Sequence, residues 1–424
     1  MDKHDGMDPD KPLAGVDPAE AERCSGPNQT ERAEMPASSV AGEPRNAERG
    51  GHAEVRMISS SKCWIDGNAL SQLHKAAARP GMLLAVGLPD LHAGIGCPVG
   101  SAFAAAGVFY PDLIGTDIGC GIALWHSDLP AAKSSKVPKW ADKLEDLDEP
   151  WEGDTDAWLA AYGIQATGHE RSLGTIGAGN HFAELQKVEK VLDPQRFDAL
   201  RLDTKQLVLL VHSGSRGLGK SVVFEYTGKK GGAGTDVSDE AGHAYLEGHN
   251  RSIAWAKANR ALIAERFLSQ LGATLEPVCD APHNFLEQTV WNDQPVWLHR
   301  KGAAPSDRGV LVIPGSRGAL SYLVEPSGNR ETSAFSLAHG AGRKWDRSSC
   351  CGRLERHYSV KQLSTTELGG HVICTDRDLL CEEAPQVYKN IGTVIDAMES
   401  RGLMNVIATL RPLLTYKIGR QKAD

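Results

Sequence analysis

The sequence lacks several features that mark whole classes of protein. It contains no apolar run near the ~18 residues that span a membrane, and its first ten residues, MDKHDGMDPD, lack the apolar stretch of a signal peptide. Its nine cysteines are scattered and include no C-x-x-C pair. This argues against a secreted disulfide scaffold and for a reducing compartment, where a special cysteine is a ligand or a nucleophile. These absences predict a cytoplasmic protein without a membrane span.

Basic charge is not in excess either. The chain has 424 residues with 46 Lys and Arg against 54 Asp and Glu, a formal charge of −8. The chain as a whole therefore has no positive field that would hold nucleic acid. Any contact with nucleic acid would depend on a local basic groove. Hydrophobic content of 41% and charged content of 24% are typical of a soluble globular enzyme.

Residues 1–54 lack Phe, Trp, Tyr and Ile altogether. They contain six prolines, and their 12 acidic and 6 basic residues supply −6 of the total charge of −8. Such a segment cannot bury enough apolar surface to offset the entropy lost on ordering. The sequence therefore predicts a disordered, acidic, proline-rich tail over 1–54, followed by one large α+β domain over 55–424.

Local patterns within 55–424 predict both strands and helices. SKCWIDG is typical of a strand that enters a turn, and ALSQLHKAA of a short helix. The apolar runs VGSAFAAAGVFY, LVLLV, VLVI and HVIC predict buried strands. The clearest helix is predicted over 239–270, with Ser238 as N-cap and an apolar face of Ala254, Ala258, Ala261 and Leu262. A second helix is predicted from Ala384 to about Leu410.

Glycine is abundant, and its distribution is informative. The 45 glycines are concentrated in GLPDLHAGIGCPVG, GTDIGCG, GTIGAGNHF, HSGSRGLGK, PGSRG and HGAGR. Glycine clusters let backbone N–H groups approach a ligand or form anion-binding concavities. Six clusters in one domain, several of which carry His, Cys or Asp, indicate one elaborate site.

One of these clusters matches a phosphate-binding P-loop. Residues 214–221, GSRGLGKS, fit the pattern G-x-x-x-x-G-K-[ST], which would place Lys220 on phosphates and Ser221 on magnesium. A P-loop must open a sustained helix, whereas VVFEYTGKKGGAG, which follows, is β-branched, aromatic and then glycine-rich, and predicts none. The alternatives are a plain glycine turn after a strand, or a loop that serves a metal through His212.

Five residues in or beside such turns have the chemistry of metal ligands: Asp117, Cys120, His181, His212 and His283. A carboxylate, a thiolate and imidazoles can hold a borderline divalent ion such as Mn²⁺, Fe²⁺, Co²⁺ or Zn²⁺, and a shared thiolate lets two ions lie close together. Taken singly, each histidine fits a capping or surface residue, and Cys120 fits a small buried hydrophobe. Their shared setting, in glycine-rich turns at the ends of apolar runs, favours a common site.

His339 lies in the uncrowded segment SLAHGAGRKWDR. This setting suits nucleophilic attack on phosphorus, with Arg343 steadying the phosphate charge. A metal ligand or a turn histidine fits the same residues equally well. PGSRG at 314–318 resembles a backbone cradle for a nucleotide, and HRKG at 299–302 with Arg317 supplies local positive charge, or else forms a solvated basic face.

Together these motifs resemble the RtcB family of RNA ligases. The resemblance runs from near Trp64 to Gly419, through PDLHAGIG, GTDIGCG, SLGTIGAGNHFAEL, VHSGSRGLG, HNF, HRKGA, PGSRG, HGAGR and EEAPQVYKNI, in the family's order. The compact N-terminal part of the domain is most similar to a shorter branch of the family. That branch accompanies a release-factor-like protein, a possible partner here, and is associated with RNA repair.

The resemblance implies a GTP- and Mn²⁺-dependent RNA ligase of RNA repair or splicing. Such an enzyme joins an RNA 3′-phosphate or 2′,3′-cyclic phosphate to a 5′-hydroxyl through a histidine–GMP intermediate. By match to the family, Asp117, Cys120, His181, His212 and His283 hold two Mn²⁺ ions, with Cys120 bridging them. His339 becomes guanylylated, Asp90 supports it and Arg343 steadies phosphate charge. GTP is held by Asn180, Glu184, Ser316, Gly340, Gly342, Tyr388 and Lys417.

The chain departs from the family pattern at three positions near these motifs. Ala93 stands where glutamine is usual, Arg317 where a small or Met-like residue is common, and Asp346 where a serine is expected. These departures concern substrate choice and guanine contacts more than the ligands or the nucleophile. The alternatives to a ligase are a metal-dependent cyclic phosphodiesterase, a catalytically reduced module that binds RNA or a partner, and a P-loop NTPase. In the ligase interpretation the P-loop match is a coincidence.

Overall fold

The computed structural model describes residues 53–131, 136–230, 234–236 and 238–419. Of the predicted tail, residues 1–52 lie outside the described residues. The first strand begins at Glu54, one residue before the predicted domain boundary.

Strands account for most of the framework around the site. In chain order the described strands are β1 (Glu54–Met57), β2 (Met82–His92), β3 (Val99–Ala105), β4 (Gly121–Pro130), β5 (Phe182–Val191), β6 (Gln206–Ser213), β7 (Leu275–Pro282), β8 (Asn284–Trp291), β9 (Gln294–Lys301), β10 (Ala303–Pro305), β11 (Leu311–Ile313), β12 (Ser321–Pro326), β13 (Ser336–Ala338), β14 (His371–Cys374) and β15 (Met404–Ile418). The four predicted apolar strands are confirmed as β3, β6, β11 and β14.

Helices lie between and around these strands. The described α-helices are α1 (Gly67–Ala77), α2 (Val137–Ala141), α3 (Thr155–Ala161), α4 (Pro194–Ala199), α5 (Gly217–Lys230), α6 (Glu240–Gln270), α7 (Arg347–Leu354), α8 (Val360–Leu363), α9 (Arg377–Glu382) and α10 (Ile391–Glu399). Among them, no helix combines the length and the apolar character needed to cross a membrane.

Two sheets form the body of one large α+β domain, as predicted. One has the strand order β1-β2-β3-β9-β8, and the other the order β11-β12-β15-β5-β6-β4-β7, with β14 beside β15. The ends of the larger sheet approach each other, because β11 also packs against β4 and β7. Its concave side is filled by apolar side chains, among them Ile122, Leu210, Val312, Leu323 and Leu410.

The long helix α6 anchors one end of the larger sheet. Arg260, almost fully buried on α6, donates to the carbonyls of Gly119 and Ser213 and pairs with Asp280 at 2.6 Å. These bonds tie together the chain before β4, the end of β6 and strand β7. The predicted helix is confirmed, with Ala258 and Leu262 buried on its inner face.

The N-cap of α6 is Asp239 rather than the predicted Ser238. The Asp239 side chain accepts from the backbone N–H of Ala241. The Ser238 hydroxyl is already engaged, because it donates to Asp236. Either residue has the chemistry of an N-cap, so the choice depends on which side chain the preceding turn leaves available.

Two other local predictions are wrong. SKCWIDG forms no strand: a turn joins Cys63 to Ser60, and Asp66 then caps α1, which confirms the short helix after it. The predicted helix over 384–410 is replaced by α10 and by strand β15. Gly402, with φ of +65°, follows α10 before the chain turns into the buried strand. Burial in a sheet thus overrides the local apolar pattern that indicated a helix.

Candidate active site

A cavity of about 680 Å³ opens where strands of both sheets end. It collects most of the predicted site residues, drawn from segments far apart in the chain: Asp117, Cys120, Asn180, Glu184, His212, His283, Ser316, His339, Gly340, Gly342, Arg343, Tyr388 and Lys417. His181 lines a neighbouring cavity that also contacts Asp117, and Asp90 is fully buried behind His339. The predicted residues therefore form one continuous site.

The five predicted ligands converge at one end of the larger sheet. The Cys120 sulfur lies 3.2 Å from His212 Nε2 and 3.4 Å from His181 Nε2. His212 Nε2 is 3.3 Å from His283 Nε2, and His181 Nε2 is 2.9 Å from Asp117 Oδ2. Strand pairing produces this convergence, because the neighbouring antiparallel strands β5, β6, β4 and β7 each begin or end at a ligand.

The protonation of these groups favours a bound cation. His212 Nδ1 lies 3.1 Å from the Asn180 carbonyl, to which it must donate, so its Nε2 lone pair faces Cys120. Burial lowers the pKa of His212 and of His283 well below the ordinary imidazole value, which keeps both rings neutral. Asp117 Oδ1 is buried and has no hydrogen-bond partner among the residues that the structure describes. The Nε2 lone pair of His212, the Cys120 sulfur and His283 Nε2 therefore face one another. A divalent metal bound among them would use these atoms as ligands.

Two glycines allow these groups to approach. A Cβ atom at Gly214 would overlap the carboxylate of Asp117. A Cβ at Gly119, whose φ is +73°, would lie 2.9 Å from Ala256 Cβ on α6. The absence of a side chain at these two positions is what lets the loop that carries Asp117 and Cys120 pack between the sheet and the helix.

His339 is held by a carboxylate. Its Nδ1 lies 2.7 Å from Asp90 Oδ2, and its backbone N–H donates to the same oxygen at 3.2 Å. The bond places the ring proton on Nδ1 and leaves the Nε2 lone pair available as a nucleophile. The His339 and His283 ring centroids are 4.7 Å apart, so this nucleophile adjoins the ligand cluster. Lys389 donates to the carbonyls of Pro89 and Leu91 and so fixes the segment that carries Asp90.

The far end of the cavity is built from buried charges. Glu184 accepts from Thr415 and from Gln186, both at 2.5 Å. Burial raises its pKa, while the positive charges of Lys417 and Arg317 act in the opposite direction. Such a carboxylate offers acceptors to a ligand with N–H donors.

Buried Glu383 and half-buried Tyr388 form a second group at the same end. The Tyr388 hydroxyl donates to Glu383 at 2.5 Å, and Glu383 lies 3.2 Å from Arg343, 2.8 Å from Arg347 and 3.6 Å from Lys417. The Arg343 guanidinium lies over the Tyr388 ring, 5.4 Å from its centroid. The structure thus places Arg343 against an acidic residue and an aromatic ring.

A smaller cavity of about 470 Å³ lies on the other side of Asp117 and His181. It is lined by three basic residues, Arg171, Arg216 and Lys220. The sequence indicated no role for the two arginines, and it indicated Lys220 only through the rival P-loop interpretation. The Arg216 side chain reaches His181 Nδ1 at 3.5 Å. Its position within HSGSRG was the one signal that could have indicated it.

The prediction that no sustained helix follows GSRGLGKS is wrong, because α5 runs through 14 residues. Val223 and Tyr226 pack against Tyr245 of α6, and this burial outweighs their low helix propensity. The functional groups still do not form a phosphate cradle. Lys220 lies over the Phe224 ring at 5.4 Å, and the Ser221 hydroxyl donates to the carbonyl of Leu218.

The chain is similar to known proteins along most of its length. The family model described as tRNA-splicing ligase RtcB matches residues 72–159 and 160–418. The chain is 46% identical over 366 residues to the RNA-splicing ligase RtcB2 of Escherichia coli, covering 86% of this chain and 95% of that protein. It is 30% identical to the tRNA-splicing ligase RtcB of Archaeoglobus fulgidus, with 82% and 91% covered. The RNA-splicing ligase RtcB of E. coli K12 is 28% identical, with 83% and 95% covered.

Proposed function

The chain belongs to the RtcB family of RNA ligases, and on that premise we propose a GTP- and Mn²⁺-dependent enzyme that joins RNA 3′-phosphate or 2′,3′-cyclic phosphate ends to 5′-hydroxyl ends. The observation that carries the proposal is the arrangement of His339. Its Nδ1 is bound by buried Asp90, and its ring adjoins His283, one of the five converging side chains that have the chemistry of metal ligands. A nucleophile beside a cation site suits transfer of a phosphoryl-linked group.

His339 carries the covalent chemistry in this proposal. Nε2 attacks the α-phosphorus of GTP, an N–P bond forms, and the bond from that phosphorus to the bridging oxygen breaks as pyrophosphate leaves. Asp90 holds the Nδ1 proton and stabilises the positive charge that develops on the ring. GMP then passes to the RNA 3′-phosphate, and the 5′-hydroxyl attacks this activated end with release of GMP. Splitting the joining into such steps is the usual benefit of covalent catalysis.

Two Mn²⁺ ions would be held by Asp117, Cys120, His181, His212 and His283. Their fit to a cation is supported by the convergence of His181 Nε2 and His212 Nε2 on the Cys120 sulfur and by Asp117 Oδ1, which is buried without a partner among the described residues. Bound Mn²⁺ would neutralise triphosphate charge and assist the leaving group. The neutral state of His212 and His283 keeps their lone pairs ready for that role.

GTP would occupy the cavity between His339 and the buried charges at its far end, in contact with Asn180, Glu184, Ser316, Gly340, Gly342, Tyr388 and Lys417. The acceptor oxygens of Glu184 suit the N1–H and 2-amino donors of guanine. The Tyr388 ring, fixed through its hydroxyl by Glu383, offers a face for stacking on the base. Arg343 would then act near the base rather than at the reacting phosphate.

The 46% identity with the RNA-splicing ligase RtcB2 supports a role in RNA splicing. That the chain acts in the cytoplasm, and in RNA repair, stays part of the proposal. Local positive charge for RNA is available at Arg171, Arg216 and Lys220 in the smaller cavity, which adjoins Asp117 and His181. Binding through such contacts should weaken as salt rises. The release-factor-like partner stays a prediction.

The test of the proposal is a labelling experiment. The purified chain is incubated with Mn²⁺ and GTP labelled at the α-phosphate, denatured, and examined for label on the protein. We expect acid-labile, alkali-stable label, no label from γ-labelled GTP, and discharge of the label by RNA with a 3′-phosphate. Absence of label from protein with confirmed bound metal would contradict the ligase mechanism. GTP-independent opening of cyclic phosphate ends would then favour the phosphodiesterase.

Replacing Asp90 with asparagine should slow labelling of His339 by roughly 10²–10⁴-fold, the range expected when an amide replaces the carboxylate that fixes a catalytic histidine. The amide cannot stabilise a positively charged ring, and it permits the wrong tautomer. The measurement is the single-turnover rate of adduct formation as a function of pH, with bound metal counted in parallel. An Asp90→Asn variant that labels at the wild-type rate would show that Asp90 has no such role.

A further inference from the structure

Two large apolar side chains at the main cavity, of about 680 Å³, are exposed to solvent. Trp64, in the segment before α1, is 51% exposed, and Ile95, in the loop between β2 and β3, is 98% exposed. Seven large apolar side chains are exposed among the described residues, and these two alone line the main cavity. A single exposed apolar residue is ordinary, but two at the same cavity indicate a surface that a ligand covers.

The loop that carries Ile95 is fixed through its backbone. Buried Lys301 donates from Nζ to the carbonyls of Ile95 at 3.1 Å and of Cys97 at 3.2 Å. The Gly94 carbonyl accepts from Gln72 Nε2 at 2.8 Å, and the Gly94 N–H donates to Gln72 Oε1 at 3.1 Å. These four bonds hold the loop in place while the Ile95 side chain stays in solvent.

Trp64 lies beside the segment that supports His339. Lys389 Nζ is 6.0 Å from the centroid of the Trp64 ring, over one of its faces. The same Nζ donates to the backbone carbonyls on either side of Asp90, at 3.3 and 2.6 Å. Asp90 Oδ2 is in turn 2.7 Å from His339 Nδ1. A short series of contacts therefore connects the Trp64 ring to the residue that reacts.

His92 adds an uncharged ring to the surface formed by Trp64 and Ile95. It lines the same cavity, and its ring lies nearly parallel to that of His339, with an interplanar angle of 15° and centroids 6.5 Å apart. Its Nδ1 donates to the Asp90 carbonyl at 2.9 Å. Burial lowers the pKa of His92 to about 4, which keeps this ring neutral. The surface next to His339 thus consists of flat or apolar groups without charge.

The RNA on which the family acts has a component that matches this surface. In the proposed mechanism GMP passes from His339 to an RNA 3′-phosphate, so the last nucleotide of that strand must lie beside His339. Proteins hold the ends of single-stranded RNA by stacking unpaired bases on aromatic side chains. Such stacking tolerates any sequence, because every base has a π face.

We propose that Trp64 and Ile95 form the binding surface for the 3′-terminal base of the RNA strand that accepts GMP. The inference rests on the proposed function, since it concerns the strand that discharges the label from His339. Trp64 stacks on the base and Ile95 packs against its edge, which holds the attached phosphate near His339. Trp64 is in this sense a positioning residue and takes no part in bond making.

The test measures discharge of GMP from the labelled full chain by a short RNA that has a 3′-phosphate and no 5′-hydroxyl. Trp64→Ala should still label with GTP, but the half-saturating concentration of RNA should rise roughly 5- to 100-fold, the effect of losing one base stack. The maximal rate should change little, and Trp64→Phe, which keeps a ring, should restore most of the affinity. Tyr358→Ala removes an exposed aromatic side chain that lines neither cavity, and this matched control should behave as the wild type.

The RNA itself supplies a second arm that needs no variant. A strand whose 3′-terminal nucleotide lacks its base should show the same loss with the wild-type protein. This loss should not add to that of Trp64→Ala, because both changes remove one contact. In the joining reaction, removal of the base from the 5′-hydroxyl end should have little effect.

Three outcomes would overturn the inference. The first is a Trp64→Ala variant that the RNA discharges at the wild-type half-saturating concentration. The second is equal discharge of the wild type by intact and abasic 3′ ends, which decides the matter even if Trp64→Ala does not fold. The third is a loss confined to abasic 5′-hydroxyl ends, which would assign the surface to the other strand. Failure of the wild type to label with GTP at all would instead remove the proposed function, so the failures are distinguishable.

Discussion

Replacement of His339 by alanine is expected to abolish labelling by α-labelled GTP and to lower the rate of RNA joining by at least about 10⁴-fold, the order found when the nucleophile of a covalent mechanism is removed. No other described side chain combines this proximity to the ligand cluster with a carboxylate on the far ring nitrogen, as His339 does through Asp90. The measurements are adduct formation on a denaturing gel and single-turnover joining of defined RNA ends. Metal content should stay at the wild-type level.

The informative control for His339→Ala is Lys220→Ala. Lys220 is an exposed residue of α5 that lies over Phe224. The variant should therefore fold normally and label with GTP. A P-loop NTPase predicts the reverse, since its lysine contacts the β- and γ-phosphates. Labelling that survives in His339→Ala but disappears in Lys220→Ala would overturn the assignment of the nucleophile.

Replacement of Cys120 by alanine is expected to remove bound metal and to lower joining by more than about 100-fold, beyond the 10–100-fold that loss of a residue supporting a ligand typically costs. Its sulfur is within 3.4 Å of both His181 Nε2 and His212 Nε2, so one substitution removes the group that contacts both histidines. The measurement is metal per chain by mass spectrometry after dialysis, followed by titration with Mn²⁺. Cys279→Ala on β7 is the matched control and should keep its metal.

Thermal unfolding gives this prediction a readout that is independent of activity. A metal that binds only the folded chain raises the midpoint of unfolding as its concentration rises. Wild-type protein should show this dependence on Mn²⁺, and Cys120→Ala should show little of it. A variant that binds and responds to Mn²⁺ as the wild type does would show that Cys120 is a buried thiol without a ligand role.

The sequence indicated much of the candidate site because its reactive side chains lie in short glycine-rich motifs. Cys120, His212 and His339 each sit beside glycines at the end of an apolar run, and such ends meet at one edge of a sheet. Arg171 and Arg216 escaped notice because a single basic residue in a loop has no periodicity and no neighbour that marks it. The burial of Arg317 was also invisible, since only the structure shows that two of its nitrogens are buried without partners among the described residues.

The fold was predictable where local pattern and burial agree. The runs in β6 and β11 are apolar, short and buried, so their strand assignment was secure. The same reasoning failed for α5 and β15, where packing against α6 and insertion into the larger sheet decide the conformation. Strand order could not be predicted at all, because nothing local to β5 or β12 indicates that β15 lies between them.

The central place of β15 has a consequence for biosynthesis. This strand follows all the other described strands in the chain, yet it separates β12 from β5 and carries Thr415 and Lys417 into the cavity. Until the ribosome has made β15, the edges of β12 and β5 that pair with it have no partner strand. Unpaired edges of this kind invite aggregation, and pairing across such long sequence separations is slow. We therefore expect completion of the main cavity to be among the last events of folding, and fragments that end before β15 to accumulate as chaperone clients rather than as partly active enzyme.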